Sequence, residues 1–227
     1  MGHFSVHSAP SEEPDVAYLP PADEGLDLIH VDEAMVLVNK PAGLLSVPGR
    51  GAERADCMVA RVQREWPDAR IVHRLDMATS GLLLLARGVD MQRRLSMAFA
   101  AREVAKRYEA TLVGLLAADE GEVDLPLCTD WPRRPRQMVS FTHGKPSLTR
   151  YRVLSRDGAA ARTRVELEPV TGRSHQLRVH MQALGHPIVG DPLYGQEAGR
   201  MHLHACRLSL RHPSSGAPMN WFAPAPF

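Results

Sequence analysis

Residues 71–87 read IVHRLDMATSGLLLLAR, and the centre of this stretch gathers His73, Arg74, Asp76, Thr79 and Ser80 within eight residues before closing on Gly81. A carboxylate on a short polar loop between two apolar strands is held stiffly. A rigid scaffold presenting such a loop is how catalytic groups are commonly positioned. The same residues also suit a plainer part, in which Asp76 accepts bonds from nearby amides to cap its own turn and Thr79 and Ser80 do likewise. Spacing alone leaves both readings open. A second polar cluster, TGRSHQLRVH, puts Arg178 one helical turn from His175 and from Gln182; by itself this arginine reads as a surface charge. His175 and His180 are five apart, while His202 and His204 share a strand face. Helical zinc pairs need i, i+4 spacing and a third ligand, so no metal is expected.

These groups need elements to hold them. Ile71 and Val72 end one strand, and the apolar run 82–86 has the length of a strand buried on both faces. Upstream, 26–30 and 35–39 read as strands around Asp32-Glu33, the second broken at Lys40-Pro41-Ala42-Gly43. Ala55, Met58, Val59, Val62 and Trp66 share a face and predict a helix over 55–66, with Asp56 near its positive end. Met91, Leu95, Ala98 and Phe99 predict another over 88–103, with Arg93, Arg94 and Arg102 off its apolar side. The segment 106–113 alternates as a strand with Tyr108, Ala110 and Leu112 on one side.

Farther on, DWPRRPRQ at 130–137 is broken by Pro132 and Pro135 and reads as an irregular basic loop around Trp131. Such a mixture of arginines and an aromatic suits phosphates and unstacked bases. Residues 147–154 and 162–170 predict a hairpin about Asp157-Gly158. Ser174 is the expected N-cap of a short helix with Leu177, Met181 and Leu184 on its apolar stripe, ending at Gly185. Residues 202–205 and 207–210 read as a closing strand.

His73-Arg74-Leu75-Asp76 followed by Thr79-Ser80-Gly81 resembles the signature of the RluA family of pseudouridine synthases, a specific seven-position match. KPAGLLSVPGR at 40–50 resembles the first motif of that family, Lys106-Arg107-Tyr108 its second, and TGRSHQLRVH with GHPIVGD and LYG its third. The resemblance runs from about residue 26 to the C-terminus. GLLSVPGR, VHRLDMATSG, DLPL with DWP-x-RP, and GRSHQLRVHM-x-ALGHPI are shared with compact members that act on a tRNA anticodon stem-loop and on a hairpin in large-subunit (23S) rRNA. The implied fold is α+β, a mixed, largely antiparallel sheet with flanking helices and a central active-site cleft.

The implied chemistry breaks the N-glycosidic bond of uridine, rotates the uracil and rejoins it through carbon 5. No electron or hydride leaves, so no cofactor is expected. By the resemblance, Asp76 is the nucleophile, attacking the ribose anomeric carbon or uracil carbon 6, and Arg178 pairs with its carboxylate. Tyr108 packs on the uracil and is a candidate for helping to remove the carbon 5 proton. The target has to be flipped out of its stack, and Arg74 is the candidate to fill the vacated space. Lys40, whose Lys-Pro turn frames the site in the family, His73, Arg133, Arg134 and Arg173 are the other expected RNA contacts. A non-catalytic RNA-hairpin-binding module, and a hydrolase with an aspartate nucleophile and His73 or His175 as base, are the readings from other classes. The intact set of Asp76, Tyr108 and Arg178 argues against the first, and the family match against the second.

Charge agrees with an RNA partner. The net charge of +1 conceals an asymmetry, since residues 1–39 hold eight acids and no Lys or Arg. The remaining 18 acidic residues face 27 basic ones, so the rest of the chain carries +9, which suits a polyanion. Residues 1–24, with Pro10, Pro14, Pro20, Pro21 and five acids, predict an irregular or disordered lead-in, too short and too acidic for a separate RNA-binding domain. One catalytic domain over 25–227 follows, and a monomer is expected. With no run of 18 apolar residues and no basic-then-apolar N-terminus, neither a membrane span nor a signal peptide is predicted. Cys57, Cys128 and Cys206 are odd in number and far apart, which fits reduced thiols and a cytoplasmic protein.

Overall fold

In the computed structural model, which describes residues 18–196 and 199–227, the first element is a hairpin of β1 (Leu28–Val31) and β2 (Met35–Lys40). Asp32 closes it by accepting the amides of Ala34 and Met35 at 2.8 and 2.9 Å. Next come α1 (Met58–Gln63), β3 (Ala69–Ile71), β4 (Ser80–Arg87), α2 (Gly88–Ala100) and β5 (Ala105–Val113). After β6 (Glu120–Asp124), a small separate hairpin is made by β7 (Leu127–Thr129) and β8 (Gln137–Val139). The chain ends with β9 (Leu148–Asp157), β10 (Arg162–Pro169), α3 (Gln176–Ala183), β11 (Leu203–Arg211) and β12 (Pro218–Phe222).

The large sheet runs β1-β2-β4-β11-β5-β10-β9-β6, with β12 on β11 and β3 on β4. Among the described residues its pairings are antiparallel except for β4 with β11. This is the mixed, largely antiparallel α+β sheet expected. Strand alternation explains how its centre is buried from both sides. Leu83 and Leu85 of β4 join Val36, Val38, Leu75 and the α1 residues Met58 and Val62 in one apolar cluster. Leu82, Leu84 and Ala86 face the other way, onto Met35, Leu37 and the α2 residue Leu95. A third cluster, Ala110, Leu112, Val165 and Leu167 with Leu177 and Met181 of α3, lies on the first face, and Tyr108 packs against both clusters there. Among the described residues, no helix is long and apolar enough to cross a membrane.

Several local expectations change. The helix predicted over 55–66 shortens to α1, preceded by a 3-10 turn at Ala52–Arg54, because Cys57 is extended (φ −161°). Asp56 does not cap it but takes Arg61 through bonds of 2.9 and 2.7 Å. Arg61 in turn donates to the carbonyl of Pro21 at 2.7 Å, and the Tyr18 hydroxyl donates to the Asp56 carbonyl at 3.0 Å. Residues 18–24, read as part of a loose lead-in, therefore have no regular structure yet are tied down against α1; residues 1–17 lie outside those described. Ser174 is not the cap of α3. That place falls to His175 in the left-handed conformation (φ +53°), and Gln176 Oε1 accepts the Arg173 amide at 3.0 Å. The segment 130–137 is not wholly irregular either, since Trp131–Arg133 form a 3-10 turn at the tip of the β7–β8 hairpin.

The parallel seam of β4 with β11 decides one residue type. β4 and β11 meet at Ser80 opposite His204 and Gly81 opposite Ala205. Gly81 sits at φ +115°, and a Cβ there would lie 2.4 Å from the Ala205 carbonyl oxygen. Both the conformation and the close backbone approach require glycine. Gly81→Ala is therefore expected to destabilise the fold by at least about 1–3 kcal/mol, the usual scale for a side chain held at a forbidden φ. Urea denaturation measures this, and an unchanged midpoint would show that the seam relaxes freely.

Candidate active site

The loop between β3 and β4 carries Asp76, and its backbone is tied at Leu75, Asp76, Met77 and Thr79. His73 Nε2 accepts the Leu84 amide at 3.0 Å while the ring stacks on Phe99 at 4.5 Å. Ser46 Oγ donates to the Leu75 carbonyl at 2.7 Å and accepts the Leu75 amide at 3.1 Å. Lys40 Nζ, fully buried, donates to the carbonyls of Pro41, Leu44 and Met77 at 2.8, 2.6 and 3.1 Å. The Thr79 amide closes the turn onto the Asp76 carbonyl at 3.1 Å. At the far end Ser80 Oγ bonds His204 Nδ1 at 2.8 Å and accepts from Arg200 at 3.0 Å.

These ties correct two expected RNA contacts. Lys40 offers nothing to a ligand: its ammonium is consumed by three carbonyls, one from the residue after Asp76. Burial pushes its pKa down to about 7, against the pull of the Asp76 charge. His73 is a strut between β4 and α2, and burial with nearby Lys106 pushes it down to about 3, so it stays neutral. Arg74, the residue after His73, is exposed.

The Asp76 carboxylate does not fold back onto its turn. Arg178, read without the family as a surface charge, is 3% exposed and donates from NH1 to Asp76 Oδ2 at 3.1 Å. Its other edge is clamped by Asp191, with Nε to Oδ2 and NH2 to Oδ1 both at 2.7 Å. Asp191 Oδ1 also accepts the amides of Leu193 and Tyr194 at 2.9 and 3.1 Å. Burial alone would raise the Asp191 pKa, but Arg178 and those amides outweigh it and hold the carboxyl below the usual range. The Tyr194 ring lies 5.1 Å from the Arg178 guanidinium, and its hydroxyl bonds His175 Nδ1 at 2.8 Å. His175 Nε2 is 3.9 Å from Asp76 Oδ2.

Tyr108 lies near enough for the Asp76 charge to act on it. Burial first, then Asp76 and Cys206, push its pKa well above the ordinary tyrosine value, so it remains a phenol. A groove of about 510 Å3, lined by Pro41, Gly43, Met77, Ala78, Gly190 and Arg200, opens beside the loops of both carboxylates. Arg133 and Arg134 stand exposed at the tip of the β7–β8 hairpin, Arg134 stacked 4.7 Å from the ring of Trp131, which is 69% exposed. Arg173 is exposed just before α3.

Sequence reasoning missed Asp191 and Tyr194. The only trace of them was the GHPIVGD and LYG strings, in which an acid and an aromatic sit beside glycines with no periodicity to mark them. What singles them out is contact with Arg178, which spacing could not supply.

Residues 34–183 match the family described as RNA pseudouridylate synthase. The chain is 51% identical over 215 residues to the dual-specificity RNA pseudouridine synthase RluA of Vibrio cholerae, covering 92% of this chain and 87% of that one. It is 49% identical to the protein of the same name from Escherichia coli K12, covering 92% and 98% respectively. Among solved structures, human RNA pseudouridylate synthase domain containing 1 superposes with a TM-score of 0.76 at 30% identity, over 92% of this chain and 87% of that one. A second human protein, RNA pseudouridylate synthase domain containing 4, gives 0.69 at 26% identity, with 89% and 88% covered. With its sheet, its motifs and more than nine-tenths of its length accounted for in this way, the chain belongs to the RluA family of RNA pseudouridine synthases, isomerases that convert uridine in RNA to pseudouridine.

Proposed function

We propose that this enzyme acts on uridines in structured RNA, a tRNA anticodon stem-loop, a large-subunit rRNA hairpin or both, with Asp76 as nucleophile. The carrying observation is the contact of Asp76 with a buried arginine that Asp191 has already fixed. The dual specificity named for the relatives supports the choice of RNAs. One chain supplies every residue of the site, so a monomer suffices, and three free cysteines suit the reducing cytoplasm.

Asp76 attacks the flipped nucleotide at the anomeric carbon or at uracil carbon 6, and the N-glycosidic bond breaks. The uracil turns and carbon 5 joins the ribose, the bond to Asp76 breaks and returns the carboxylate, the carbon 5 proton is released and nitrogen 1 gains one, so the reaction balances without a redox partner. Arg178 aims the carboxylate through a charge-assisted bond. Tyr108 packs on the uracil and takes part in removing the carbon 5 proton. Arg74 stacks where the flipped base had been. Arg133, Arg134 and Arg173 meet phosphates, and Trp131 offers a face to an unstacked base.

Three experiments follow from these assignments. Purified protein incubated with an unmodified stem-loop, then digested to nucleosides, yields pseudouridine from the wild type and none from Asp76→Asn, while RNA affinity stays within a few-fold. Turnover by a verified Asp76→Asn sample would remove Asp76 as nucleophile. Asp191→Asn leaves one acceptor at position 191 for Arg178 in place of two, so kcat should fall by about ten- to hundred-fold, the worth of one charged hydrogen bond. Wild-type kcat would mean that the clamp does not aim Arg178. Arg74→Ala should cost more activity on a folded stem-loop than on an RNA whose target uridine is already unstacked, and equal losses would move Arg74 from base flipping to chemistry or folding.

A further inference from the structure

His175 joins the catalytic pair to the exposed β7–β8 hairpin, and its surroundings decide which ring nitrogen carries the proton. The Tyr194 hydroxyl oxygen accepts the Gln137 amide of β8 at 2.7 Å. One of its lone pairs is thus engaged, and the buried hydroxyl proton needs an acceptor, because Tyr194 is only 4% exposed. Among the described residues, the acceptor within reach is His175 Nδ1 at 2.8 Å. A neutral imidazole that accepts at Nδ1 carries its proton on Nε2. That nitrogen is 3.9 Å from Asp76 Oδ2, too far for a full hydrogen bond and close enough to share a bound nucleotide. Burial is the largest influence on His175 and disfavours its charged form; Arg178 and Arg74 act with it, while Asp76 and Asp191 oppose it, and the net shift is downward. A non-glycine residue at φ +53° adds that the backbone is held in a sparsely used conformation to place this ring.

We propose that His175 is a hydrogen-bond donor from Nε2 to an oxygen of the target uridine, held in that tautomer by Tyr194, which acts as a positioning residue anchored to the β7–β8 hairpin. The proposal rests on the reading that the uridine reacts at Asp76. Its consequence is that the hairpin carrying Trp131, Arg133 and Arg134 bears on the reacting base through Gln137, Tyr194 and His175. The same Tyr194 ring has the guanidinium groups of Arg178 and Arg136 at 5.1 and 5.4 Å from its centre, so both arginines use one aromatic support.

Two substitutions separate a donor from a spacer. In His175→Asn the amide occupies the place of Nδ1, keeping the bond to Tyr194 and losing the donor toward Asp76. In His175→Gln the amide reaches the place of Nε2, keeping that donor and loosening Tyr194. Asparagine is the better tolerated of the two at a left-handed φ, so backbone strain cannot account for a larger loss in Asn. Single-turnover pseudouridine formation on saturating stem-loop should fall by about tenfold or more in His175→Asn, the scale of one hydrogen bond, and by less in His175→Gln. The opposite order would reduce His175 to a support for Tyr194. Independently of any variant or turnover, 15N imidazole NMR of the resting protein should show the Nε2–H tautomer for His175, and Tyr194→Phe should shift it toward a mixture while the ring remains beneath Arg178. An Nδ1–H tautomer in the wild type would overturn the proposal. Failure of the nucleophile assignment would show instead as turnover by Asp76→Asn, with the tautomer unaffected.

Discussion

The structure depends on how one buried guanidinium, Arg178, is shared between two carboxylates. Leaving an arginine unpaired in a protein interior is strongly unfavourable, so it needs a full counter-charge nearby. Asp191, completely buried, provides that by a two-point contact, and it is itself held by two backbone amides. The remaining edge of the guanidinium makes a longer contact with Asp76, whose side chain keeps 29% of its surface open. This unequal division suits a nucleophile. Arg178 is largely neutralised before it meets Asp76, so it directs the carboxylate without engaging both of its oxygens.

Aiming one side chain is useful only if the opposing loop is equally fixed. Lys40, Ser46 and His73 each bond backbone groups of the loop or of the strand that follows it, and none is free to bind RNA. The loop then enters the one parallel seam of the sheet, where Gly81 lets β11 approach closely. These ties bring together residues distant in the chain, such as Ser46 with Leu75 and Ser80 with His204. Rigidity at Asp76 is therefore a property of the whole β2–β4–β11 core and not of the loop alone.

The cations of the chain consequently divide by burial into two kinds of work. Lys40 and Arg178 satisfy buried acceptors, whereas Arg74, Arg133, Arg134 and Arg173 stand in solvent where phosphates can reach them. An overall positive charge says nothing about this division, because it counts both kinds alike. Tyr108 makes a similar link among apolar groups. It packs against two clusters on one face of the sheet, and burial together with the Asp76 charge keeps its hydroxyl protonated.

Much of the fold was legible in the sequence where one rule governs many neighbours. The unbroken apolar run 82–86 announced a strand buried on both faces, the i, i+4, i+7, i+8 pattern of Met91 to Phe99 announced α2, and Asp157-Gly158 announced the β9–β10 turn. Short strands such as β7, β8 and β12 carried too few residues for any period to show, and the left-handed His175 cap contradicts the usual preference for serine.

Of the site, Asp76, Tyr108 and Arg178 were named through the resemblance of their motifs to the RluA family, whereas spacing alone left Asp76 open and made Arg178 a surface charge. What no local pattern contained was the partner of each charge. The sequence by itself determined the longer central strands, the approximate places of the helices and the presence of a carboxylate on a loop between two strands, since these follow from interactions between residues near in the chain. Only the tertiary structure decided that Asp191 clamps Arg178, that Lys40 and His73 are struts, and that Tyr194 joins the hairpin to the site. A buried charge or hydroxyl is assigned by whichever distant group satisfies it, and that group is fixed only when the sheet has closed.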